Sequence, residues 1–214
     1  MISMDDSYDR VARRYAAEIG DELPGKPVDR ALYGLFAELV GIGATVGDVG
    51  CGPGHIARYL ADLGLRPTGV DASPGMIGVA RERYPGLSFT VGTFAELPVA
   101  DGEWAGAVAP YSIIHLDAAG RRAGFAELSR AIAPGGWLLV AFHISMGEHA
   151  AGDSLHFAQW WGEDVDLTFR FLDPAVVATE LADAGFVVMV RADREPWPDA
   201  EEPSRRSYLL ARRA

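Results

Sequence analysis

A run of glycines, one carboxylate and two histidines carry the chemistry this chain has to offer. The run reads Asp48-Val49-Gly50-Cys51-Gly52-Pro53-Gly54. Glycine lets backbone come close to a ligand, and α/β folds bind their ligands at the carboxyl edge of the parallel strands. Asp71 follows Gly50 at close to the roughly 20-residue offset at which an acid meets a ribose hydroxyl, so the pair points to a nucleoside. A dinucleotide fingerprint needs G-x-G-x-x-G; His55 stands where its last glycine belongs, leaving G-x-G-x-G. His115, in Ser112-Ile113-Ile114-His115-Leu116, and His143, at the end of an apolar run, are the candidate proton acceptors. Imidazole titrates near working pH, which suits it to that task, although either ring can equally be satisfied by backbone.

Around them stand candidates for holding a substrate. Trp160-Trp161 could clamp an aromatic ring or pack a lid; Tyr111 could reach an acceptor or fill core; Arg170 and Asp166 could read a charged group or stay solvated. His149 and His156 have no spacing to Asp or Cys that suggests a metal, and no metal site is expected. Cys51 fills a small position inside the glycine loop.

The elements that must position these residues are legible from 45 onward, where short apolar runs alternate with amphipathic ones. That is the pattern of parallel strands joined by covering helices. Strands are expected at 45–49, 67–70, 87–91, 104–109, 137–142, 186–190 and 208–211. Helices are expected over 56–63, over 73–83 with Ser73 as N-cap and Pro74 after it, and from Asp173-Pro174 to Gly185. A fourth carries Phe125, Leu128 and Ile132 on one face and ends at Pro134-Gly135-Gly136. The polar, proline-containing stretch 192–206 reads as a surface loop. Residues 5–39 read as helical, a cap within 1–40, and 144–172 as an ordered lid, because Phe157, Trp160, Trp161, Phe169 and Phe171 concentrate there.

The chain has 214 residues, 49% of them hydrophobic, which suffices for one domain spanning 1–214 without a metal or disulfide. The single cysteine and the lack of a cationic leader suggest a cytoplasmic protein. No run approaches the roughly 18 apolar residues of a membrane helix. Thirty acids against 19 bases, a net charge of −11, argue against nucleic acid as partner and leave a small molecule; the oligomeric state stays open. Lys26 is the only lysine, which argues against a Walker lysine and leaves no other lysine to act as general base.

The loop Asp48–Gly54 resembles that of class I S-adenosylmethionine-dependent methyltransferases of the small-molecule type, with Asp48 two residues before the first glycine. So do Val70-Asp71-Ala72-Ser73-Pro74-Gly75-Met76-Ile77, Val91-Gly92-Thr93-Phe94-Ala95-Glu96-Leu97-Pro98, the stretch 104–116, Arg130-Ala131-Ile132-Ala133-Pro134-Gly135-Gly136 and Leu181-Ala182-Asp183-Ala184-Gly185-Phe186. The resemblance implies a Rossmann-like, mostly parallel sheet flanked by helices, with an antiparallel C-terminal strand and an N-terminal helical or lid portion. It implies S-adenosylmethionine as cofactor, with Gly50 and Gly52 against its methionyl part, Asp71 on the ribose, Ala72 and Met76 flanking the adenine, Thr93 and Phe94 at the adenine edge and Ala109 near the methionine end. Tyr8-Asp9 with Ala12 and Tyr15 resembles the segment that covers the cofactor in small-molecule members, with Tyr15 as the contact. His115 would face the transferable methyl, and His143 would line the acceptor pocket. Thr93 stands where many relatives have an acid, Ala105 where the fourth strand commonly has one, and Pro110 follows in the turn. Methyl transfer to a small organic acceptor is the implied activity; the alternatives are a cofactor-binding protein that transfers nothing and, on shared fold logic, a nicotinamide-dependent oxidoreductase.

Overall fold

Two helices precede the alternating part of the chain, α1 (Met4–Ile19) and α2 (Pro27–Val40). The computed structural model describes residues 2–198 and 200–214; Met1 and Asp199, which fall in the expected cap and the expected 192–206 loop, lie outside the described residues. There follow β1 (Thr45–Val49), α3 (His55–Asp62), β2 (Arg66–Asp71), α4 (Pro74–Arg83), β3 (Ser88–Val91), β4 (Trp104–Pro110), α5 (Ala118–Ala131) and β5 (Ile132–Met146). A hairpin of β6 (Ser154–Trp160) and β7 (Glu163–Arg170) comes next, then α6 (Pro174–Asp183), β8 (Phe186–Arg194) and β9 (Ser204–Arg213).

Seven strands form one sheet in the order β3-β2-β1-β4-β5-β9-β8. The β1 to β5 part is parallel throughout, with Val46 opposite Pro67 on one side and Gly106 on the other. β9 runs antiparallel to both its neighbours. This is the Rossmann-like architecture expected, antiparallel C-terminal strand included. Strand order reverses at β1, so the loops leaving β1 and β4 diverge and open a crevice at the carboxyl edge.

Both faces of the sheet are buried, which explains why the central strands read as continuous apolar runs. Along β5, Leu138, Val140 and Phe142 pack with Phe125, Leu128, Val177 and Leu181 of α5 and α6. Leu139 and Ala141 turn the other way, to Phe36, Leu60 and Val46. Ser73 caps α4 by accepting from the Met76 amide at 3.0 Å, with Pro74 behind it.

Three expectations shift. Helix α5 stops at Ala131, and Ile132 is already extended (ψ 135); Pro134 bars the helix from running on, since it disfavours helix at Ala133 and lacks the amide a further turn would need. Most of the two ends of 192–206 is strand, not loop: β8 runs on to Arg194 and β9 starts at Ser204, with Arg194 opposite Arg206. The ladder there is backbone hydrogen bonding between polar residues, which hydropathy does not register. Of the stretch 144–172 expected as a lid, the first residues continue β5 to Met146 and 154–170 form a β-hairpin, paired Trp160 to Glu163 across a two-residue turn.

Candidate functional site

The glycine loop is lashed to β2: the Gly50 and Cys51 amides both donate to the Val70 carbonyl, at 2.7 and 3.1 Å. Gly50 has φ +75, and a Cβ there would lie 2.3 Å from Ser112 Cβ. Ser112 in turn donates its hydroxyl to the Val49 carbonyl at 2.9 Å, tying the exit of β4 to that of β1. Gly52 (φ +51) differs, since its Cβ would meet nothing nearer than Met76 Sδ and Tyr15 Cε1, each at 4.0 Å. It faces open space. Asp71 closes this space from the β2 side, with Oδ2 accepting from the Gly52 amide at 2.8 Å and Oδ1 from the Ser73 amide at 2.9 Å. Burial pushes the Asp71 carboxyl up to about 6, against the pull of those two amides.

The result is a cavity of about 310 Å³, whose lining includes Tyr15, Gly50, Gly52, Asp71, Ala72, Met76, Thr93 and Phe94. Each Asp71 oxygen has lone-pair capacity beyond its one amide, so a diol fits there beside the bare backbone of Gly52. The donor set suits a nucleoside.

A second cavity of about 400 Å³ opens beside the first and shares Tyr8, Tyr15, Glu22, Tyr111 and His115 with it. Its roof is aromatic. Trp160 and Trp161 stack with centroids 4.3 Å apart and 15° between planes, and Tyr15 meets Trp160 edge-on at 5.9 Å. Trp161 and Gly162 form the hairpin turn with φ +51 and +86, the backbone of a type I′ turn, whose first place usually holds Asn or Asp. The floor is polar. Lys26 Nζ sits 2.7 Å from Glu22 and 5.3 Å from the centre of the Tyr111 ring. Burial works against the Glu22 charge, but His55 and Lys26 hold the carboxyl down at about 2. Arg206 lies 3.1 Å from Glu201. Tyr111 itself has φ +55, uncommon for a bulky residue, and its hydroxyl bonds to Tyr208 (2.9 Å) and Asp29 (3.3 Å).

His115 stands where the two cavities meet. Its Nε2 is 2.8 Å from the Tyr8 hydroxyl and its Nδ1 3.3 Å from the Thr168 carbonyl of β7. Burial lowers His115 to about 4, with Arg170 adding to the effect and the Thr168 carbonyl opposing it. His143 lines the second cavity, its Nδ1 2.8 Å from Ser204 Oγ. Burial first, then Arg206 and Lys26, depresses it to about 3.

Three expected site residues stand away from both cavities. Ala109 is fully buried and packs with Val140 and Phe125 on the α5 side of the sheet; strand alternation turns its Cβ from the crevice, and Pro110, Tyr111 and Ser112 line the first cavity instead. Asp48 is fully buried beneath the loop, with no hydrogen-bond partner for either carboxyl oxygen among the described residues. Arg170 turns its Nη1 to the His115 carbonyl at 2.7 Å. Asp166, weighed beside it, offers its amide to Ser7 Oγ at 2.9 Å, on the side of the hairpin that packs on α1. Cys51 is buried against Ala57, Ile77 and Phe89, its thiol pushed up by burial.

Sequence reasoning passed over Glu22, Lys26, Arg206 and, in favour of Tyr15, Tyr8. Glu22 and Lys26, an i,i+4 pair in the cap, meet Arg206 of β9 only in the fold, and although Lys26 stands out as the only lysine, nothing in the sequence placed it in the site. Tyr8 had a signal, the Tyr8-Asp9 pair: Asp9 Oδ1 accepts from Ser73 Oγ at 2.5 Å and the Gly75 amide at 2.7 Å, which seats α1 on α4 and aims Tyr8 inward.

Residues 46–136 match the sequence profile of a family described as a methyltransferase domain. A demethylmenaquinone methyltransferase of Beutenbergia cavernae is 32% identical over 136 residues, 63% of this chain and 55% of that protein. A trans-aconitate 2-methyltransferase of Methylobacterium nodulans is 39% identical over 115 residues, 49% of this chain and 40% of that protein. The chain thus spans about half the length of the curated relatives it matches. The solved structure of the Burkholderia thailandensis 1,6-didemethyltoxoflavin-N1-methyltransferase, with its substrate and S-adenosylhomocysteine bound, superposes with a TM-score of 0.70 at 19% identity, covering 100% of this chain and 92% of that one. It shares the fold.

Proposed function

We propose that this chain, whose residues 46–136 match the profile of a methyltransferase domain, is a class I enzyme that transfers a methyl group from S-adenosylmethionine to a small organic acceptor. The observation that carries this reading is the pair of joined cavities, one built for a nucleoside and the other aromatic, meeting at His115. In the first, Asp71 would hold the ribose, the open backbone at Gly50 and Gly52 the methionyl part, and Ala72, Met76, Thr93 and Phe94 the adenine. Tyr15 would cover the cofactor from α1. When bound, the cofactor supplies an activated methyl on a sulfonium, so the protein's share of the work is positioning plus proton removal. Tyr111, Trp160 and Trp161 would seat the acceptor, with His115, neutral above about pH 4, available to take a proton, and His143 alongside. A cytoplasmic setting belongs to the same reading, on the strength of one buried, unpaired cysteine. No helix among the described residues is long and apolar enough to cross a membrane.

Calorimetry with S-adenosylhomocysteine tests the cofactor half. We expect saturable 1:1 binding, no binding of a nicotinamide dinucleotide, and at least a tenfold loss in Gly52→Ala, whose new methyl enters the cofactor space rather than the protein. Gly52→Ala should still melt within about 4 °C of the parent, since a left-handed alanine costs about 1 kcal/mol. Absence of homocysteine-nucleoside binding would remove the proposal. Transfer of a labelled methyl to a small molecule tests the other half.

A further inference from the structure

The hydrogen-bond directions at the cavity junction can be assigned. A carbonyl only accepts, so the contact from His115 Nδ1 to the Thr168 oxygen puts the imidazole proton on Nδ1. Nε2 then offers a lone pair, and the Tyr8 hydroxyl, 2.8 Å away, donates to it. Tyr8 has spent its one proton inward. Its oxygen has no other partner among the described residues and lines both cavities, so it presents lone pairs to whatever binds there and asks for a donor.

The surroundings narrow the donor. Tyr15, Trp160, Trp161 and Phe169 make the wall flat and apolar. The two cations beneath that wall are paired, Lys26 with Glu22 at 2.7 Å and Arg206 with Glu201 at 3.1 Å and the Ser204 carbonyl at 2.8 Å; Arg206 Nε has no partner among the described residues, but it is buried and out of a ligand's reach. A carboxylate would bring a negative charge to four acids, Glu18, Glu22, Glu201 and Glu202, and to a lone pair, with no proton to give. Resting on the assignment of the second cavity to the acceptor, we propose that it takes an uncharged aromatic compound bearing a hydroxyl, whose O–H donates to Tyr8 Oη while Tyr8 donates to His115 Nε2. Proton removal then runs along that line: the acceptor O–H breaks as a new Tyr8 O–H forms, the old Tyr8 O–H breaks as Nε2–H forms, and the acceptor oxygen keeps the electron pair for its attack. Tyr8 is the catalytic residue in contact with the acceptor. His115 acts through it and positions it. A buried neutral imidazole is a weak base, which suits a phenolic hydroxyl rather than the far less acidic alkyl one.

Three probes on one frame separate the possibilities: 2-naphthol, 2-methoxynaphthalene, which lacks the donor, and 2-naphthoate, which carries the charge. They are titrated by calorimetry into the full chain saturated with S-adenosylhomocysteine. We expect 2-naphthol to bind at least tenfold more tightly than either of the others, about 1.4 kcal/mol, as one satisfied hydrogen bond in a dry site provides. Tyr8→Phe should bring 2-naphthol and 2-methoxynaphthalene within threefold of each other. Nitrogen-15 shifts of His115 should report the Nδ1–H tautomer in the parent and a loss of the hydrogen bond to Nε2 in Tyr8→Phe. Equal or tighter binding of 2-naphthoate or 2-methoxynaphthalene, no binding of 2-naphthol at millimolar concentration, or a preference that survives in Tyr8→Phe would each overturn the proposal. Failure of S-adenosylhomocysteine to bind the parent is read separately and strikes the cofactor assignment, and the same titrations on the unloaded chain then still read the pocket.

Discussion

Asp48 in β1 and Asp71 at the end of β2 show how differently two carboxylates beside one glycine loop are used. Asp71 spends both oxygens on backbone amides and keeps lone pairs for a ligand, whereas Asp48 lies under the loop with burial pushing its carboxyl up to about 7. The folded state therefore keeps the Asp48 proton in a range where the unfolded chain, near 4, has lost it. Its contribution to stability is complete below about pH 4 and disappears as pH rises through 7. Asp48→Asn keeps the shape and removes the charge. We expect the variant to melt higher than the parent at about pH 8, by about 2–4 °C for each kcal/mol recovered, and no higher than the parent at about pH 5. A variant that melts lower at the alkaline pH would show that the ionised carboxylate has a stabilising role in the fold.

At the scale of elements, the β6–β7 hairpin carries an expensive feature at its tip. Trp161 holds a left-handed backbone (φ +51) in a turn that prefers asparagine, at a cost of about 1 kcal/mol or more. The hairpin does not require it for register, since the turn length and the Val165 and Leu167 packing on Val11 of α1 set that. The strained tryptophan is best explained by what it does at the mouth of the second cavity. Trp161→Asn relaxes the turn while losing the stack on Trp160, so the melting temperature should stay within about 4 °C of the parent, while the affinity for 2-naphthol falls at least threefold. A larger loss of stability with unchanged affinity would assign Trp161 to the hairpin itself.

Across the whole molecule, the cap is joined to the far edge of the sheet through Asp29 of α2. It is 2% exposed and accepts from Tyr208 (2.9 Å) on β9, Arg194 (2.9 Å) on β8 and Tyr111 (3.3 Å) after β4. Arg194 also reaches Glu201 in the loop between β8 and β9. Removing one partner of a buried charged network leaves the others uncompensated, at about 3–5 kcal/mol. Asp29→Ala should therefore lower the melting temperature by about 6 °C or more, and Asp29→Asn, which keeps an acceptor oxygen, by less. A melting temperature unchanged in Asp29→Ala would mean that the cap is held by its apolar face on Val46 and Leu139 alone. The same network anchors Tyr111, so the shape of the second cavity depends on residues from both ends of the chain.

Periodicity in the amino-acid sequence determined the order of strands and helices from β1 to β5 and then α6, because apolar spacing and helix caps are local properties, while the β6–β7 hairpin between them was legible only as an ordered excursion. It also determined the glycine loop and Asp71, since close backbone approach admits few residue types and the offset to the acid is set by one strand, one turn and one helix. Strand alternation decided that Ala109 faces the α5 side, and the boundaries of β8 and β9 rest on ladder bonds between polar residues; both depend on neighbours in the sheet. Only the tertiary structure brought Tyr8, Lys26, His115, Trp160 and Arg206 to one cavity. They come from four separate parts of the chain, and a wall whose charges are paired across it leaves no charge run or period in the sequence to reveal it.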